Sequence, residues 1–289
     1  MENTDRQTVF VRVANHSVFP AHVFSDFLPT LDEQDRIRCE RLLTEKRKRQ
    51  FLAGRILLKQ AVGDMLQIPA KEVRVITKEG IPSATTCQSG ISPATIPAVS
   101  LSHSGSWIAC AVSSAYVGID IEIPDPARDV LEMARQAFLP DERAWLAAQP
   151  EMAQKHAFYH LWTAKEAQYK LHCAKQGRPQ PSRFWEERVL MDTDKRLHTT
   201  YLPEYDLILS VCGEKAIDPV LHNTPCPGSK VFNLLNQVRH SRKSAKAALQ
   251  NSSQKMLAAH VAQAFVSSLP LAGARNFLTD NSNSLNWLI

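Results

Sequence analysis

The pentapeptide Gly118-Ile-Asp-Ile-Glu122 constrains the fold of this 289-residue chain more than any other segment. Its β-branched residues favour a strand, and side chains alternate between the two faces of a strand. Ile119 and Ile121 then need a core on one face, while Asp120 and Glu122 share the other face roughly 7 Å apart. Two carboxylates at that spacing can hold one hard cation, although an isolated pair of this kind is usually a solvated strand face.

The surrounding sequence predicts a mixture of strands and helices. β-Branched or alternating runs indicate strands, helical spacing of apolar residues indicates helices, and residues 80–98, rich in Pro, Ser and Thr, indicate a loop. Thr30 is the predicted N-cap of the first long helix, with Glu33 at the spacing of a capping box. The predicted strands are 8–18, 72–77, 107–113, 116–122, 187–192, 196–202 and 206–213, and the predicted helices are 30–67, 126–138, 141–148 and 151–175.

Both halves of the chain follow the same plan of a strand, then helices, then further strands. We therefore predict an α+β fold of two similar α/β lobes, the first over residues 1–115 and the second, with a metal site, over residues 116–221. A linker containing Pro and Gly begins at residue 222. Residues 222–289 are thus expected to form a separate basic extension of undefined role, in which 231–267 can form a helix.

The net charge of +5 comes from the end of the chain rather than from its body. Residues 222–289 carry +6, because they hold seven Lys and Arg residues and one acid, whereas residues 1–221 carry −1. Attraction of acidic partners to the body must therefore come from local clusters. One basic cluster is present, and it is either a solvated helix face or a phosphate-binding surface. It consists of Lys46, Arg47, Lys48, Arg49, Arg55 and Lys59.

The sequence shows no sign of a membrane or secreted protein. No apolar run approaches the roughly 18 residues that a membrane-spanning helix needs, and charged residues interrupt the first twelve positions where a signal peptide would be apolar. The six cysteines include no C-x-x-C pair, which argues against a zinc site or a disulfide scaffold. Cys110 and Cys212 lie in apolar runs and are expected to be buried thiols. These features predict a cytoplasmic protein.

A second group of polar residues lies on the helix predicted over 151–175. Trp162, Glu166 and Lys170 are spaced four residues apart and so lie on nearly one face of that helix. Alone, this pattern is commonly a core tryptophan beside a surface ion pair. A third carboxylate at Glu166 would complete a magnesium site with Asp120 and Glu122. Lys170 would then neutralise the charge of a phosphate or of a leaving group.

The segment Ser100-Leu-Ser-His-Ser-Gly105 precedes the strand at 107–113. Small hydroxyl residues and glycine allow the backbone to approach a phosphate closely, and His103 supplies a donor. A turn with a satisfied histidine is the simpler interpretation of this segment alone. The segment is not a G-x-S-x-G nucleophile elbow, and the chain contains no Walker loop or dinucleotide-binding fingerprint.

These elements, in this order, resemble the 4′-phosphopantetheinyl transferase superfamily in its larger, two-lobed form, the surfactin and enterobactin type. The family motif G-[IV]-D-[IV]-E corresponds to Gly118–Glu122, and W-x-x-K-E corresponds to Trp162–Glu166 with the trailing Lys170. The S-H-S segment corresponds to Ser102–Ser104, and the F-x-x-G-R helix corresponds to Phe51–Arg55. Four motifs in the right order are far more specific than any one of them.

The resemblance covers residues 8–221 and implies a pseudo-dimeric fold of two lobes. It implies Mg²⁺-dependent transfer of 4′-phosphopantetheine from coenzyme A to a serine of an apo acyl or peptidyl carrier protein, with release of adenosine 3′,5′-bisphosphate. The implied metal ligands are Asp120, Glu122 and Glu166, and the implied catalytic residues are Asp120, Glu166 and Lys170. The implied donor-binding residues are Ser102, His103, Arg49, Arg55, Lys165 and Lys170. The expected setting is a monomer in fatty-acid or secondary-metabolite biosynthesis, with no nucleic-acid or membrane partner.

One departure from the family pattern keeps alternatives open. Many relatives carry Gly-Lys-Pro before S-H-S, with the lysine on a coenzyme A phosphate, whereas this chain has Gly80-Ile81-Pro82. Lys78 is a possible substitute for that lysine, or the affinity for the donor is lower. One alternative is a degenerate relative that binds coenzyme A or carrier proteins without catalysis. The other is a nucleic-acid-binding protein that uses the basic cluster and the basic extension.

Overall fold

The computed structural model describes residues 6–179, 188–189, 195–203 and 205–221. Within these residues the chain alternates between strands and helices, with short 3-10 turns between them. The strands are β1 (Gln7–Asn15), β2 (Val73–Lys78), β3 (Ile81–Thr86), β4 (Ala98–Ser104), β5 (Trp107–Ser113), β6 (Val117–Glu122), β7 (Leu197–Leu202), β8 (Leu207–Gly213) and β9 (Ile217–Leu221). The α-helices are α1 (Ala21–Phe27), α2 (Glu33–Glu40), α3 (Glu45–Leu66), α4 (Val130–Ala137), α5 (Pro140–Ala147) and α6 (Glu151–Gln176).

Two sheets stack face to face, and a long helix covers the outer face of each. The first sheet has the strand order β4-β5-β1-β9, and the second has the order β6-β8-β7. Helix α3 packs on the first sheet and helix α6 packs on the second. The layers are therefore helix, sheet, sheet and helix, which confirms the predicted α+β class. A separate hairpin, β2-β3, lies beside α3 and β4.

The core between the two sheets follows directly from strand periodicity. Val9, Val11 and Val13 on β1 alternate with outward residues and are at most 1% exposed. They meet Ile119 and Ile121 of β6, which are both fully buried in the same apolar cluster. Burying five such side chains stabilises the fold by about 1.5–3 kcal/mol each before entropy is subtracted. The predicted inward face of the pentapeptide is thus confirmed.

Three of the differences from the sequence-based expectation in the first hundred residues concern helix caps and a hairpin. The helix predicted over 30–67 is broken at residues 41–44 into α2 and α3, because Thr44 accepts a hydrogen bond from Arg47 N and caps a new helix. The cap of α2 is Asp32, whose Oδ1 accepts from Asp35 N at 2.9 Å, so the prediction of Thr30 as N-cap was wrong. Residues 81–86 form β3 rather than loop, since Glu79 and Gly80, both at positive φ, make a tight hairpin turn.

Strand β9 was not predicted, and it connects the two ends of the described chain. It pairs in parallel with β1, with Gln7 opposite Ile217. The side chain of Gln7 also donates to the carbonyl oxygens of Ala115 and Tyr116 and accepts from Glu214 N. This glutamine therefore holds the crossover between β5 and β6. The division into lobes at 115/116 stays a prediction.

Several predicted features lie outside the described residues. They are most of the strand at 187–192, the linker from residue 222 and the helix over 231–267. Within the described part of the chain, Cys110 and Cys212 are buried as expected. None of the helices in that part has both the length and the apolar content required to cross a bilayer.

Helix α6 approaches β6 so closely that only glycine fits at position 118. A Cβ atom built on Gly118 would lie 1.9 Å from the carbonyl oxygen of Ala167 and 2.8 Å from the backbone nitrogen of Leu171. Both obstacles are backbone atoms, which cannot rotate away. Gly118 shares its strand face with Asp120 and Glu122, so the glycine sets the distance between those carboxylates and α6.

Replacing Gly118 with alanine is expected to destabilise the protein by about 3 kcal/mol, the upper end of the usual cost of overpacking. The physical reason is that α6 must move away from β6 to admit the methyl group. The matched control is Gly54→Ala, whose added Cβ meets only side-chain atoms of Leu101, the nearest at 3.0 Å. We expect the control to change stability by no more than about 1 kcal/mol. Urea unfolding would measure both, and equal effects would contradict the packing argument.

Candidate active site

The carboxylate of Asp120 lies under α6, where water barely reaches it. The residue is 4% exposed, and its Oδ1 accepts hydrogen bonds from Ser102 Oγ at 2.6 Å and from Lys170 Nζ at 2.7 Å. Its other oxygen, Oδ2, is buried and has no hydrogen-bond donor among the described residues. Burial raises the pKa of Asp120, although Lys170 and Ser102 offset part of this effect.

Glu122 and Glu166 complete a group of three carboxylates. Glu122 Oε2 accepts from Ser104 Oγ at 2.7 Å, and Glu166 is 7% exposed on α6. Burial, followed by repulsion from Asp120, raises the pKa of Glu122 to about 7 and that of Glu166 to about 8. The structure therefore brings together the three acids that the sequence pattern singled out, and their charges repel one another.

Lys170 supplies the positive charge that balances this group. Its Nζ binds Asp120 Oδ1 and also donates to the carbonyl oxygen of Ile119 at 3.2 Å. Burial by itself would lower the pKa of Lys170, but attraction to Asp120, Glu166 and Glu122 outweighs it, so the net pKa is raised. The lysine stays charged at neutral pH, and the predicted face of α6 with Glu166 and Lys170 is directed at β6.

Three serines of β4 join that strand to β6 where no backbone ladder connects them. The hydroxyl oxygens of Ser100, Ser102 and Ser104 accept hydrogen bonds from the backbone N–H groups of Ile119, Ile121 and Ile123, at 3.1, 3.3 and 3.1 Å. We call these three residues the serine ladder. It links the edge of the first sheet to the edge of the second, directly beside the carboxylates.

The three carboxylates are the type of ligand that binds a divalent cation, but they are not close enough together here to form a complete metal-binding site. Among the described residues no three His, Cys, Asp or Glu side chains are arranged to hold a metal ion. Oxygen donors are the ligands that Mg²⁺ prefers. The buried Oδ2 of Asp120 and the mutual repulsion of the acids are both features that a bound cation would relieve. Asp120, Glu122 and Glu166 therefore fit a magnesium ion by donor type.

His103 lies on the opposite face of β4 from the serine ladder. It shares that face with Leu101, which packs against α3 at Gly54. Part of its surface is open to solvent, but the surrounding protein lowers its pKa to about 4, and the charges of Arg47 and Lys170 add to this effect. His103 is consequently neutral at pH 7, and it lies close enough to Arg47 and Lys170 for their charges to affect its pKa.

Half of the basic cluster on α3 turns into the protein rather than toward solvent. Arg55 is 3% exposed, and its guanidinium binds both carboxylate oxygens of Asp35, at 2.6 and 2.8 Å. Arg49 donates to the carbonyl oxygen of Phe19 at 3.1 Å, and Lys59 is 8% exposed with its pKa lowered by burial. The cluster is therefore not simply a solvated face. The structure does not bring Arg55 to the carboxylates, and its role in phosphate binding stays a prediction.

Lys165 also points away from the carboxylates. It is 2% exposed, and its Nζ lies 3.0 Å from Glu142 Oε2 in an ion pair whose two side chains are at most 1% exposed. Glu142 further accepts backbone hydrogen bonds from Leu139 and Val189. The structure thus gives Lys165 a partner on α5, and its assignment as a donor-binding residue stays untested.

The sequence reasoning named Ser100 and Ser104 only as small residues of a phosphate-binding segment, and it did not single out Glu142. For the serines a signal was present, because S-x-S-x-S in a strand places three hydroxyl groups on one face. For Glu142 no local signal exists, since its partner Lys165 is 23 residues away.

Two known families match this chain, over adjacent ranges that meet at residues 115 and 116. Residues 116–211 match the family described as the 4′-phosphopantetheinyl transferase superfamily. Residues 20–115 match the family described as 4′-phosphopantetheinyl transferase, N-terminal. The chain belongs to the 4′-phosphopantetheinyl transferase superfamily. The superfamily match contains all of β6 and α6, and thus all three carboxylates and Lys170.

Individual members of the superfamily are similar over about half of this chain. The 4′-phosphopantetheinyl transferase Sfp of Bacillus subtilis is 31% identical over 142 residues, which are 49% of this chain and 59% of Sfp. The transferase psf-1 of Bacillus pumilus is 34% identical over 145 residues, 50% of this chain and 58% of psf-1. HetI of Nostoc sp. is 30% identical over 155 residues, 52% of this chain and 63% of HetI. Each alignment spans less than two thirds of the relative.

Proposed function

We propose that this protein transfers the 4′-phosphopantetheine group from coenzyme A to a serine of an apo acyl or peptidyl carrier protein in an Mg²⁺-dependent reaction. The observation that carries the proposal is the carboxylate group of Asp120, Glu122 and Glu166, balanced by Lys170, within a chain of this superfamily. Sfp, psf-1 and HetI all carry the name 4′-phosphopantetheinyl transferase, which supports the same reaction type.

Asp120, Glu122 and Glu166 would hold the ion, which when bound supplies charge neutralisation for the donor pyrophosphate. The carboxylates orient the donor by fixing that charge on β6 and α6, two elements locked together at Gly118. Such preorganised electrostatics is commonly the largest contribution to catalysis of phosphate transfer. Adenosine 3′,5′-bisphosphate is the product that leaves.

Lys170 and His103 would serve the phosphates of the donor. Lys170 carries a charge beside Asp120 and can neutralise the phosphate that departs. His103, neutral at pH 7 with a pKa of about 4, can hydrogen-bond a phosphate oxygen, and Arg47 lies close enough to influence its titration. The proton of the carrier serine needs an acceptor. Glu166, which lies on α6 close enough to Asp120 to feel its charge, is the residue that we propose as this acceptor.

Lys78 is the cation that we propose for the position where relatives have Gly-Lys-Pro. It pairs directly with Ile81 across the β2-β3 hairpin, and directly opposed residues of an antiparallel pair project from the same face. Its side chain is exposed. A lysine at 78 can therefore present its charge on the hairpin face from which residue 81 projects.

The test is to incubate the full-length protein with apo carrier proteins, coenzyme A and Mg²⁺ and to measure carrier mass. We expect the carrier to gain the mass of one phosphopantetheine group, and we expect no gain after chelation of the metal. A carrier whose acceptor serine is replaced by alanine is the matched control. A panel of acyl and peptidyl carriers should be used, and no mass gain on any member would refute the proposed function.

A further inference from the structure

The serine ladder does more than connect two strands, because two of its members also bind carboxylates. Ser102 Oγ donates to Asp120 Oδ1 at 2.6 Å, and Ser104 Oγ donates to Glu122 Oε2 at 2.7 Å. Ser100 accepts a hydrogen bond from the amide of Ile119 in the same way as the others but contacts no carboxylate among the described residues. The ladder thus contains two serines that hold an acid and one that does not.

The geometry at Ser104 fixes the direction of its hydroxyl group. The oxygen accepts from Ile123 N–H at 3.1 Å, so the single hydroxyl hydrogen is available to Glu122 Oε2. A hydroxyl that is bonded on both sides has little freedom to rotate. Ser104 therefore holds one oxygen of Glu122 against β4, and no donor among the described residues contacts the other oxygen, Oε1.

The two oxygens of Asp120 differ in the same way: one accepts hydrogen bonds and the other does not. Its Oδ1 is taken by Ser102 and Lys170, while Oδ2 is buried without a donor. On both acids, β4 supplies a serine to one oxygen, and the other oxygen has no donor among the described residues. Residues that hydrogen-bond a metal-binding carboxylate typically change metal affinity or activity by 10- to 100-fold when they are lost.

We propose that Ser104 is a positioning residue that orients Glu122 for cation binding, a role that rests on the function proposed above. In this role it does not need to contact the reacting atoms or the donor. It acts through Glu122, by holding Oε2 so that Oε1 points to the shared cation. Because β4 belongs to the first sheet and Glu122 to the second, the hydrogen bond from Ser104 to Glu122 also links the cation site to the contact between the two sheets.

The experiment compares Ser104→Ala, Ser104→Thr and Ser100→Ala in the full-length protein. Binding of Mn²⁺ as a spectroscopic substitute for Mg²⁺ is measured by electron paramagnetic resonance, and the Mg²⁺ dependence of carrier modification is measured in parallel. We expect Ser104→Ala to weaken Mn²⁺ binding about 10-fold and to raise the Mg²⁺ concentration for half-maximal rate by a similar factor. Ser104→Thr keeps the hydroxyl group and should stay within about 3-fold of the unmodified protein.

Ser100→Ala is the matched control, because it removes the same hydroxyl from the same strand and leaves one amide of β6 without its acceptor. It should lower the melting temperature but leave Mn²⁺ affinity unchanged. Unchanged affinity in Ser104→Ala, or equal losses in Ser100→Ala and Ser104→Ala, would overturn the positioning role. If the unmodified protein modifies carriers but the Ser104 variants bind Mn²⁺ equally, only this inference fails. If the unmodified protein binds no Mn²⁺ and modifies no carrier, the proposed function fails and this inference fails with it.

Discussion

Replacing Glu166 with glutamine is expected to lower the rate of carrier modification by about 10³-fold or more, an effect at the upper end of losing one preorganised electrostatic group. Glutamine has almost the same shape, so the loss would come from the charge alone. The rate should be measured by mass spectrometry of the carrier at saturating coenzyme A and Mg²⁺. Full activity in this variant would remove Glu166 from the site.

The same substitution should stabilise the metal-free protein at alkaline pH. The pKa of Glu166 is raised from 4.5 to about 8 in the folded state, so the folded state binds more protons than the unfolded state between these values. Stability is therefore lost as the pH rises from about 4.5 to about 8, and glutamine avoids this loss. We expect Glu166→Gln to be more stable than the unmodified protein at pH 8 in chelator by at least about 1.4 kcal/mol, the free energy of one pKa unit.

The pH series contains its own control, because the stability advantage of Glu166→Gln should shrink toward pH 5, where the folded protein already carries a proton on Glu166. Addition of Mg²⁺ at pH 8 should then stabilise the unmodified protein more than the variant. If Glu166→Gln were inactive and also less stable than the unmodified protein at pH 8 in chelator, Glu166 would be a residue that stabilises the fold rather than a metal ligand whose charge destabilises the metal-free protein.

Replacing Lys165 with methionine is expected to destabilise the protein by about 3–5 kcal/mol, the cost of leaving a buried charge without its partner. Glu142, which has no exposure to water, would be left without its cation. Urea unfolding at pH 7 would measure the loss. The double variant Glu142→Gln/Lys165→Met should recover part of it, because both charges are then gone, but the single oxygen of glutamine replaces only one of the two acceptors used by the amides of Leu139 and Val189.

The matched control for Lys165 is Lys48, which forms an exposed ion pair with Glu45 on α3 at 2.9 Å. Its Lys48→Met variant should change stability by less than about 1 kcal/mol, since exposed ion pairs contribute little. Similar losses in Lys48→Met and Lys165→Met would contradict the role of burial. A direct role of Lys165 with the donor would appear instead as a raised KM for coenzyme A in a variant of unchanged stability.

Much of the candidate site was predictable because its pattern is local. The alternation in Gly118–Glu122 requires only that the segment be a strand, and the common face of Glu166 and Lys170 requires only that theirs be a helix. Both conditions are met, and Gly118 lets the two elements approach. The sequence alone therefore placed three acids and one lysine on the two surfaces that meet in the fold.

Local periodicity could not assign partners across the fold. Arg55 and Lys165 look like free cations in the sequence, yet Asp35 and Glu142 bind them in buried pairs. Such pairs form because an unpaired charge is too costly to bury, and which acid lies nearby is decided by packing. The periodicity of a sequence shows which side chains share one face of a helix or strand, but not which other segment packs against that face.

The sequence by itself determined the strand and helix faces that carry Asp120, Glu122, Glu166 and Lys170, since these depend only on backbone periodicity. Tertiary structure alone decided that β9 returns to pair with β1 and that the serine ladder joins β4 to β6. Both are contacts between distant segments, and they form because every backbone amide at a buried sheet edge must find an acceptor. The three serines and their alternation are evident in the sequence. Only the packing of the two sheets shows which amides donate to them and which carboxylates accept from them.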